Sequence, residues 1–140
     1  MLFRSVEIRV CDAQPLQEEA ISLAALGYSL TVRIARAIDE GEPLLQPPHR
    51  MIEENFWRAI RHGLSGELID LRTGRVRQTR VAIEELIEWV QPVVGELGTA
   101  EYLVVPEANA AERQRARHEE GATLEEIYAE QAAPREPVGG

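Results

Sequence analysis

Lysine is absent from this chain of 140 residues, so all 15 of its basic residues are arginines. Without lysine, the chain lacks the residue that forms Schiff bases and the cation that P-loops place on phosphate groups. The single cysteine, Cys11, excludes an internal disulfide and a cysteine-based zinc cluster. The histidines His49, His62 and His118 lie far apart, without the spacing that zinc ligands show. The sparse use of cysteine predicts a cytoplasmic protein.

Net positive charge is also lacking, because the chain carries a formal charge of −9. We therefore predict no nucleic-acid partner and no attraction to anionic lipid. A basic strip does occur locally, at Arg72, Arg75, Arg77 and Arg80. No apolar run is long enough to predict a membrane span, so no membrane partner is expected either.

The pattern of apolar residues predicts a mostly helical α+β protein. Val6, Ile8 and Val10 alternate with polar residues, which is typical of a strand. Asp12 or Gln14 would cap the next helix, which Pro15 opens. Five helices are predicted, at about 16–39, 51–62, 80–97, 110–119 and 124–132. A small hairpin is predicted around Gly74, between 67–71 and 75–78.

The sequence predicts three finer features of these elements. The apolar stripe of the first helix is predicted to include Ile21, Ala24, Leu30, Ile34 and Ile38. Pro92 should kink or break the third helix. Capping boxes are predicted at Asn109 with Glu112 and at Thr123 with Glu126.

The single strand at Val6–Val10 needs a sheet, because one strand cannot satisfy its own backbone groups. No other part of the sequence supplies that sheet. The pattern therefore predicts the C-terminal part of a larger domain.

The candidate functional residues lie on this strand and on the second helix. Glu7 and Arg9 share one face of the strand, and such a pair suits a site where a carboxylate holds Mg²⁺ and a guanidinium holds phosphate. From the spacing alone, a merely solvated strand face is the better explanation of this pair. Arg58 and Arg61 share a helix face with Glu54, and this spacing alone favours a solvated face with an ion pair over an anion-binding face.

Several segments, taken together, resemble the bacterial carboxylate–amine ligase family, the type-2 glutamate–cysteine ligases. The segments are VEIRVCDAQPLQEEAISLAAL, IEENFWRAIRHGLSGELIDLRTGRVR, AERQR and HEEGATLEEI, and they cover most of Val6 to Ala132. The resemblance implies the C-terminal fragment of a glutamine-synthetase-like fold. It also implies that ATP phosphorylates the γ-carboxylate of glutamate, and that cysteine or another amine attacks the acyl phosphate, with Mg²⁺ as cofactor.

The resemblance assigns roles to residues of this chain. Glu7 matches the carboxylate expected to bind Mg²⁺, and Arg9 matches an arginine expected near phosphate or substrate. On the second helix, Asn55 and Arg58 match positions expected to contact the nucleotide, and Arg61 matches one expected to bind an anionic substrate or phosphate. The family usually reads E-N-R-W where this chain has Phe56, and any contact made by that arginine is lost here.

The resemblance also predicts how the chain is organised. Residues 1–5, MLFRS, depart from the F-G-T that usually precedes V-E-I-R, and they are expected to be a non-native lead, since they can be translated from a common sequencing adapter. Residues 6–132 are expected to be the C-terminal part of one catalytic domain, inactive by itself, and 133–140 a disordered tail. The alternative is a non-catalytic helical interaction module that forms a homodimer by covering the Val6–Val10 strand.

Overall fold

The computed structural model describes residues 6–133, so the predictions for residues 1–5 and 134–140 lie outside the described range. Five helices and one antiparallel hairpin confirm the mostly helical α+β class. The elements are α1 (Gln17–Asp39), α2 (His49–His62), β1 (Glu67–Ile69), β2 (Val76–Gln78), α3 (Thr79–Leu97), α4 (Ala110–Glu119) and α5 (Leu124–Ala132). The hairpin aligns Glu67 with Gln78 and Ile69 with Val76.

The predicted strand at Val6–Val10 is not formed. Its residues have no regular secondary structure, and no strand within residues 6–133 pairs with them. Val6 and Val10 leave 71% and 70% of their surface exposed. Ile8 instead lies against α1, close enough that a Cβ on Gly27 would approach its Cδ1 to 2.9 Å. The alternating pattern indicates which side chains would lie on the same face of a strand. A strand also needs a second strand to bind its backbone N–H and carbonyl groups.

The core of the first structural unit, which ends at Glu107, lies between α1 and α3. Val90 and Val93 are completely buried, and Val94 is 3% exposed. Burial of one valine side chain contributes about 1.5–3 kcal/mol, so these residues are a main source of stability. The residues packed around them are Leu26, Leu30, Val32, Trp89, Leu97 and Leu103.

The predicted apolar stripe of α1 is partly wrong. Ala37 and Ser29 are fully buried, whereas Ile34 and Ile38 are 40% and 61% exposed. The buried Ser29 hydroxyl lies 2.8 Å from the Thr99 hydroxyl, and this hydrogen bond satisfies both groups. Because α1 is apolar around most of its circumference, periodicity alone did not identify the face that meets α3.

The helix α1 is also long and apolar enough to cross a membrane, with a mean hydropathy of 1.3. It is the one helix among residues 6–133 that passes this test, which corrects the expectation that no such run exists. A core helix passes the same test, and α1 packs against α3. The absence of a membrane partner stays a prediction.

The start of α1 and the middle of α3 differ in detail from the sequence prediction. Leu16 precedes α1 and makes no side-chain cap, while Gln14 Nε2 donates to the Asp12 carbonyl, so the predicted cap is wrong. The helix α3 continues through Pro92 without a break. Val90, Val93 and Val94 are buried on both sides of this proline, and their packing stabilises the helix although Pro92 donates no backbone hydrogen bond.

The second structural unit begins at Ala108 and is a pair of short helices, α4 and α5. Both predicted capping boxes are confirmed. Asn109 Oδ1 accepts from the Glu112 backbone at 2.8 Å, and Thr123 Oγ1 accepts from the Glu126 backbone at 3.2 Å. In each box the glutamate carboxylate accepts the cap residue's own N–H. These caps satisfy amides that a helix leaves unpaired at its start.

Gly66, in the turn between α2 and β1, is packed closely against His62. A Cβ on Gly66 would lie 2.5 Å from His62 Cβ, which has no freedom to move away. Gly66 has an ordinary extended backbone with φ −84°. An alanine here would therefore cause no backbone strain, and the clash with His62 alone would lower stability. We expect Gly66→Ala to lower the free energy of unfolding by about 1–3 kcal/mol in urea denaturation. The control is Gly95→Ala, where a Cβ meets nothing within 4 Å and stability should rise by about 0.5–1 kcal/mol. Equal effects of the two substitutions would show that the close approach does not exist.

Candidate active site

The structure brings Glu7 and Arg9 together, as their spacing predicts. Arg9 Nη2 donates to Glu7 Oε2 at 2.7 Å, and the side chains are 80% and 67% exposed. An ion pair this exposed contributes little stability. The two groups balance each other's charge and both remain accessible from solvent.

Asn55, which was predicted to contact the nucleotide, binds the backbone of β1 in the structure. Its Nδ2 donates to the Ile69 carbonyl at 2.7 Å, and its Oδ1 accepts from the Ile69 N–H at 2.7 Å. This paired contact is side chain to backbone, across 14 residues of sequence. It joins α2 to β1 and occupies both polar ends of the amide.

Arg58 and Arg61 lie on the same helix but have different surroundings. Arg58 Nε donates to Glu54 Oε1 at 2.8 Å, which is the i,i+4 ion pair that the sequence analysis considered. The guanidinium of Arg61 makes no hydrogen bond or ion pair with any residue from 6 to 133, and Arg61 is exposed. Arg61 is therefore an exposed cation on α2 with no partner among residues 6–133.

Phe56, which stands where the family usually has arginine, is 52% exposed on α2. Trp57 is 55% exposed, and its ring meets His62 edge-on with centroids 5.7 Å apart. Neither aromatic ring is buried in the core. Phe56 thus adds to the apolar surface of α2.

The turn of the hairpin is organised by Asp70, a residue that the sequence analysis did not single out. Its Oδ1 accepts from the Arg72 N–H at 2.8 Å and lies 3.5 Å from Arg77 Nη2. The Asp70 carbonyl accepts from the Gly74 N–H at 2.8 Å. Gly74 has φ +73°, as predicted for this turn position. The signal for Asp70 was present in the motif D-x-x-T-G.

Hydrogen bonding lowers the pKa of Asp70 below its ordinary value, mainly through the Arg72 N–H, with help from Thr73 and the charge of Arg77. A carboxyl group whose pKa is lower in the folded state stabilises that state above its unfolded pKa. This stabilisation is lost as pH falls through the folded pKa. We expect stability to decline with acidification over that range, and the decline to be shallower in Asp70→Asn. Urea denaturation at a series of acidic pH values measures both, and parallel curves for the two proteins would contradict the assignment.

The predicted site residues are not all joined. No hydrogen bond or ion pair within the described range links the Glu7–Arg9 pair to Asn55, Arg58 or Arg61. Across the described part of the chain there is also no group of three or more acidic, histidine or cysteine side chains suited to a metal ion. The roles of these residues in binding and catalysis remain predictions.

Comparison with known proteins places the chain in a family. The sequence model of glutamate-cysteine ligase family 2 matches residues 1–135. A protein of Gloeobacter violaceus, provisionally named glutamate–cysteine ligase 2, is 35% identical over 133 residues, which are 91% of this chain and 36% of that protein. A protein of Solibacter usitatus with the same provisional name is 35% identical over 85% of this chain and 32% of its own length.

A third relative, from Frankia casuarinae and provisionally named glutamate–cysteine ligase 2-1, is 39% identical over 72% of this chain and 26% of its own length. No solved structure matches. The chain thus spans about a third of the length of the first two relatives. Because the family model covers nearly all of it, this chain belongs to glutamate-cysteine ligase family 2.

Proposed function

We propose that this chain is the C-terminal part of an ATP-dependent carboxylate–amine ligase that forms a γ-glutamyl amide through an acyl phosphate. The match to the family over residues 1–135 carries this proposal. The substrates would be glutamate and cysteine or another amine. We also propose a cytoplasmic location, with no nucleic-acid or membrane partner.

The chemistry of such a ligase places most of the work on charge and position. The transferred phosphoryl group and the reacting carboxylates are anionic, so cations that neutralise them stabilise the transition state. Arg61 is suited to this role because its guanidinium is exposed and makes no ion pair within residues 6–133. Arg9 is suited to it as well, since its partner Glu7 would hold the guanidinium in place.

Asn55 and Arg58 were predicted to contact the nucleotide. In the proposed enzyme we assign Asn55 a positioning role instead, because its amide already binds both backbone groups of Ile69. Arg58 could still bind a phosphate through its terminal nitrogens, because its bond to Glu54 uses Nε.

Mg²⁺ fits the residues described here only in part. Magnesium takes about six oxygen ligands and usually keeps several waters. Glu7 offers one carboxylate, which accepts a hydrogen bond from Arg9, and no acidic cluster within residues 6–133 adds to it. In the proposed enzyme Glu7 would be one ligand of a site completed by other residues.

One observation favours a second candidate, a non-catalytic interaction module. Ile52, Phe56 and Ile60 follow each other at intervals of four residues on α2 and are 46%, 52% and 70% exposed. An apolar stripe of this kind is typical of a helix that packs against another protein surface. Light scattering of the purified chain tests this candidate, since a stable dimer that Phe56→Arg dissociates would support it.

The experiment for the ligase is a chimera. The matching C-terminal third of a family member that makes γ-glutamylcysteine is replaced by this chain, and ATP-dependent product formation is measured. We expect the chimera to be active and the 140-residue chain alone to show little or no turnover, since part of a site gives little preorganisation. A folded but inactive chimera would count against the ligase assignment. Turnover by the isolated chain would refute the proposal that it holds only part of the active site.

A further inference from the structure

We propose that Arg72 and Arg75, at the turn of the hairpin, form a binding site for a phosphate chain. The sequence shows four arginines in this region, but the structure divides them into two classes. Arg77 is paired with Asp70 and Glu85, and Arg80 donates to the carbonyls of Pro106 and Glu107. These two arginines are committed to holding the hairpin and the start of α3.

Arg72 and Arg75 are exposed, and their guanidiniums make no hydrogen bond or ion pair anywhere in residues 6–133. Their hydrogen bonds within this range are made by the backbone: the two N–H groups donate to Asp70 and to Thr73, and the Arg75 carbonyl accepts from Asp70. In a chain with a net charge of −9, most arginines of the described range pair with acids or carbonyls. Two unpaired guanidiniums three residues apart are therefore a local concentration of available positive charge.

The backbone that carries these arginines is held from several sides. The Asp70 N–H donates to the Arg75 carbonyl at 2.7 Å, and the Gly74 N–H donates to the Asp70 carbonyl at 2.8 Å. Asn55 fixes the residue before the turn, Ile69, to α2. A fixed backbone lowers the entropy lost when a ligand orders the arginine side chains.

The chemistry of arginine favours a phosphate chain over a single carboxylate. Each guanidinium presents five donors in a planar fork that matches phosphate oxygens. One carboxylate can be satisfied by one guanidinium, whereas successive phosphate groups offer oxygens to two. This inference rests on the proposed function in one respect: the nucleotide triphosphate of the ligase reaction would be the natural ligand.

The test is calorimetric titration of the whole chain with inorganic triphosphate at low ionic strength, where exposed charges are least screened. The variant Arg72→Gln/Arg75→Gln is compared with Arg50→Gln/Arg115→Gln, which also removes two exposed and unpaired arginines. We expect about tenfold weaker binding in the first variant and less than twofold change in the second. Circular dichroism confirms that both variants keep their helices.

Equal weakening in the two variants would show non-specific attraction, and no binding by the unmodified chain would also overturn the proposal. A parallel titration with ATP distinguishes the source of the phosphate chain. Similar loss for ATP and triphosphate assigns the site to the phosphates, while ATP binding that is indifferent to Arg72 and Arg75 overturns the link to the nucleotide. Neither titration depends on catalysis, so an inactive chimera would refute the ligase without deciding this site.

Discussion

Replacing Asn55 by alanine should lower the free energy of unfolding by about 2–4 kcal/mol, because two hydrogen bonds are lost and both backbone groups of a half-buried strand residue are left unpaired. The wild-type amide binds Ile69 through contacts of 2.7 Å on each side. A backbone group that loses its partner and is shielded from water costs more than the hydrogen bond gave. Urea denaturation monitored by circular dichroism measures the loss.

A second variant separates the two contacts. Asn55→Asp keeps an oxygen that can accept the Ile69 N–H but removes the donor to the Ile69 carbonyl. We expect Asn55→Asp to lower the free energy of unfolding, because it places a carboxylate beside that carbonyl. The size of this loss should differ from the loss in Asn55→Ala. Asn55→Gln, which keeps both groups on a longer side chain, should recover little. If alanine at position 55 were neutral, the contact between α2 and the hairpin would not hold this part of the fold.

Local features of this fold could be predicted from the sequence. The capping boxes at Asn109 and Thr123 were predictable because donor and acceptor lie three residues apart. The ends of α2 and α3 were predictable because Gly63 and Gly98 adopt positive φ there. The hairpin was predictable because Gly74 also adopts a positive φ, in the turn between its two strands.

Features that depend on distant residues could not be predicted. The strand pattern of Val6–Val10 identified alternating side chains, but a strand needs a neighbour that residues 6–133 do not supply. The buried face of α1 depended on where α3 packs. Asn55 looked like a ligand because its position matched a family motif, and only the fold shows that its amide meets Ile69.

The same limit applies to the candidate site. Spacing placed Glu7 beside Arg9 correctly, because both lie on one short segment. Spacing could not show which arginines were already paired. Arg58, Arg77 and Arg80 are bound by neighbouring groups, whereas Arg61 is not bound within the described part of the chain.

The second large effect concerns Arg61 in the chimeric ligase. We expect Arg61→Gln to lower kcat/KM for γ-glutamylcysteine formation by about 100-fold, the size of effect seen when one group that stabilises developing charge is removed. Glutamine keeps a hydrogen-bond donor but removes the charge and shortens the side chain, so the loss reports on the charge and on the reach of the guanidinium. Because Arg61 is exposed and has no partner among residues 6–133, the stability of the protein should hardly change.

The control is Arg50→Gln, which removes another exposed arginine without a partner among residues 6–133, at the opposite end of α2. Its kcat/KM should stay within about twofold of the unmodified chimera, as expected for a surface charge that does not touch the reacting groups. Comparing the two variants removes any general effect of net charge on the binding of anionic substrates.

The most direct test of the central claim is therefore the rate of ATP-dependent γ-glutamylcysteine formation by the chimera, measured for the unmodified protein and for Arg61→Gln and Arg50→Gln. Our account predicts an active chimera, a loss of about 100-fold in Arg61→Gln and nearly full activity in Arg50→Gln. A folded chimera without activity, or equal activity in the two variants, would contradict it.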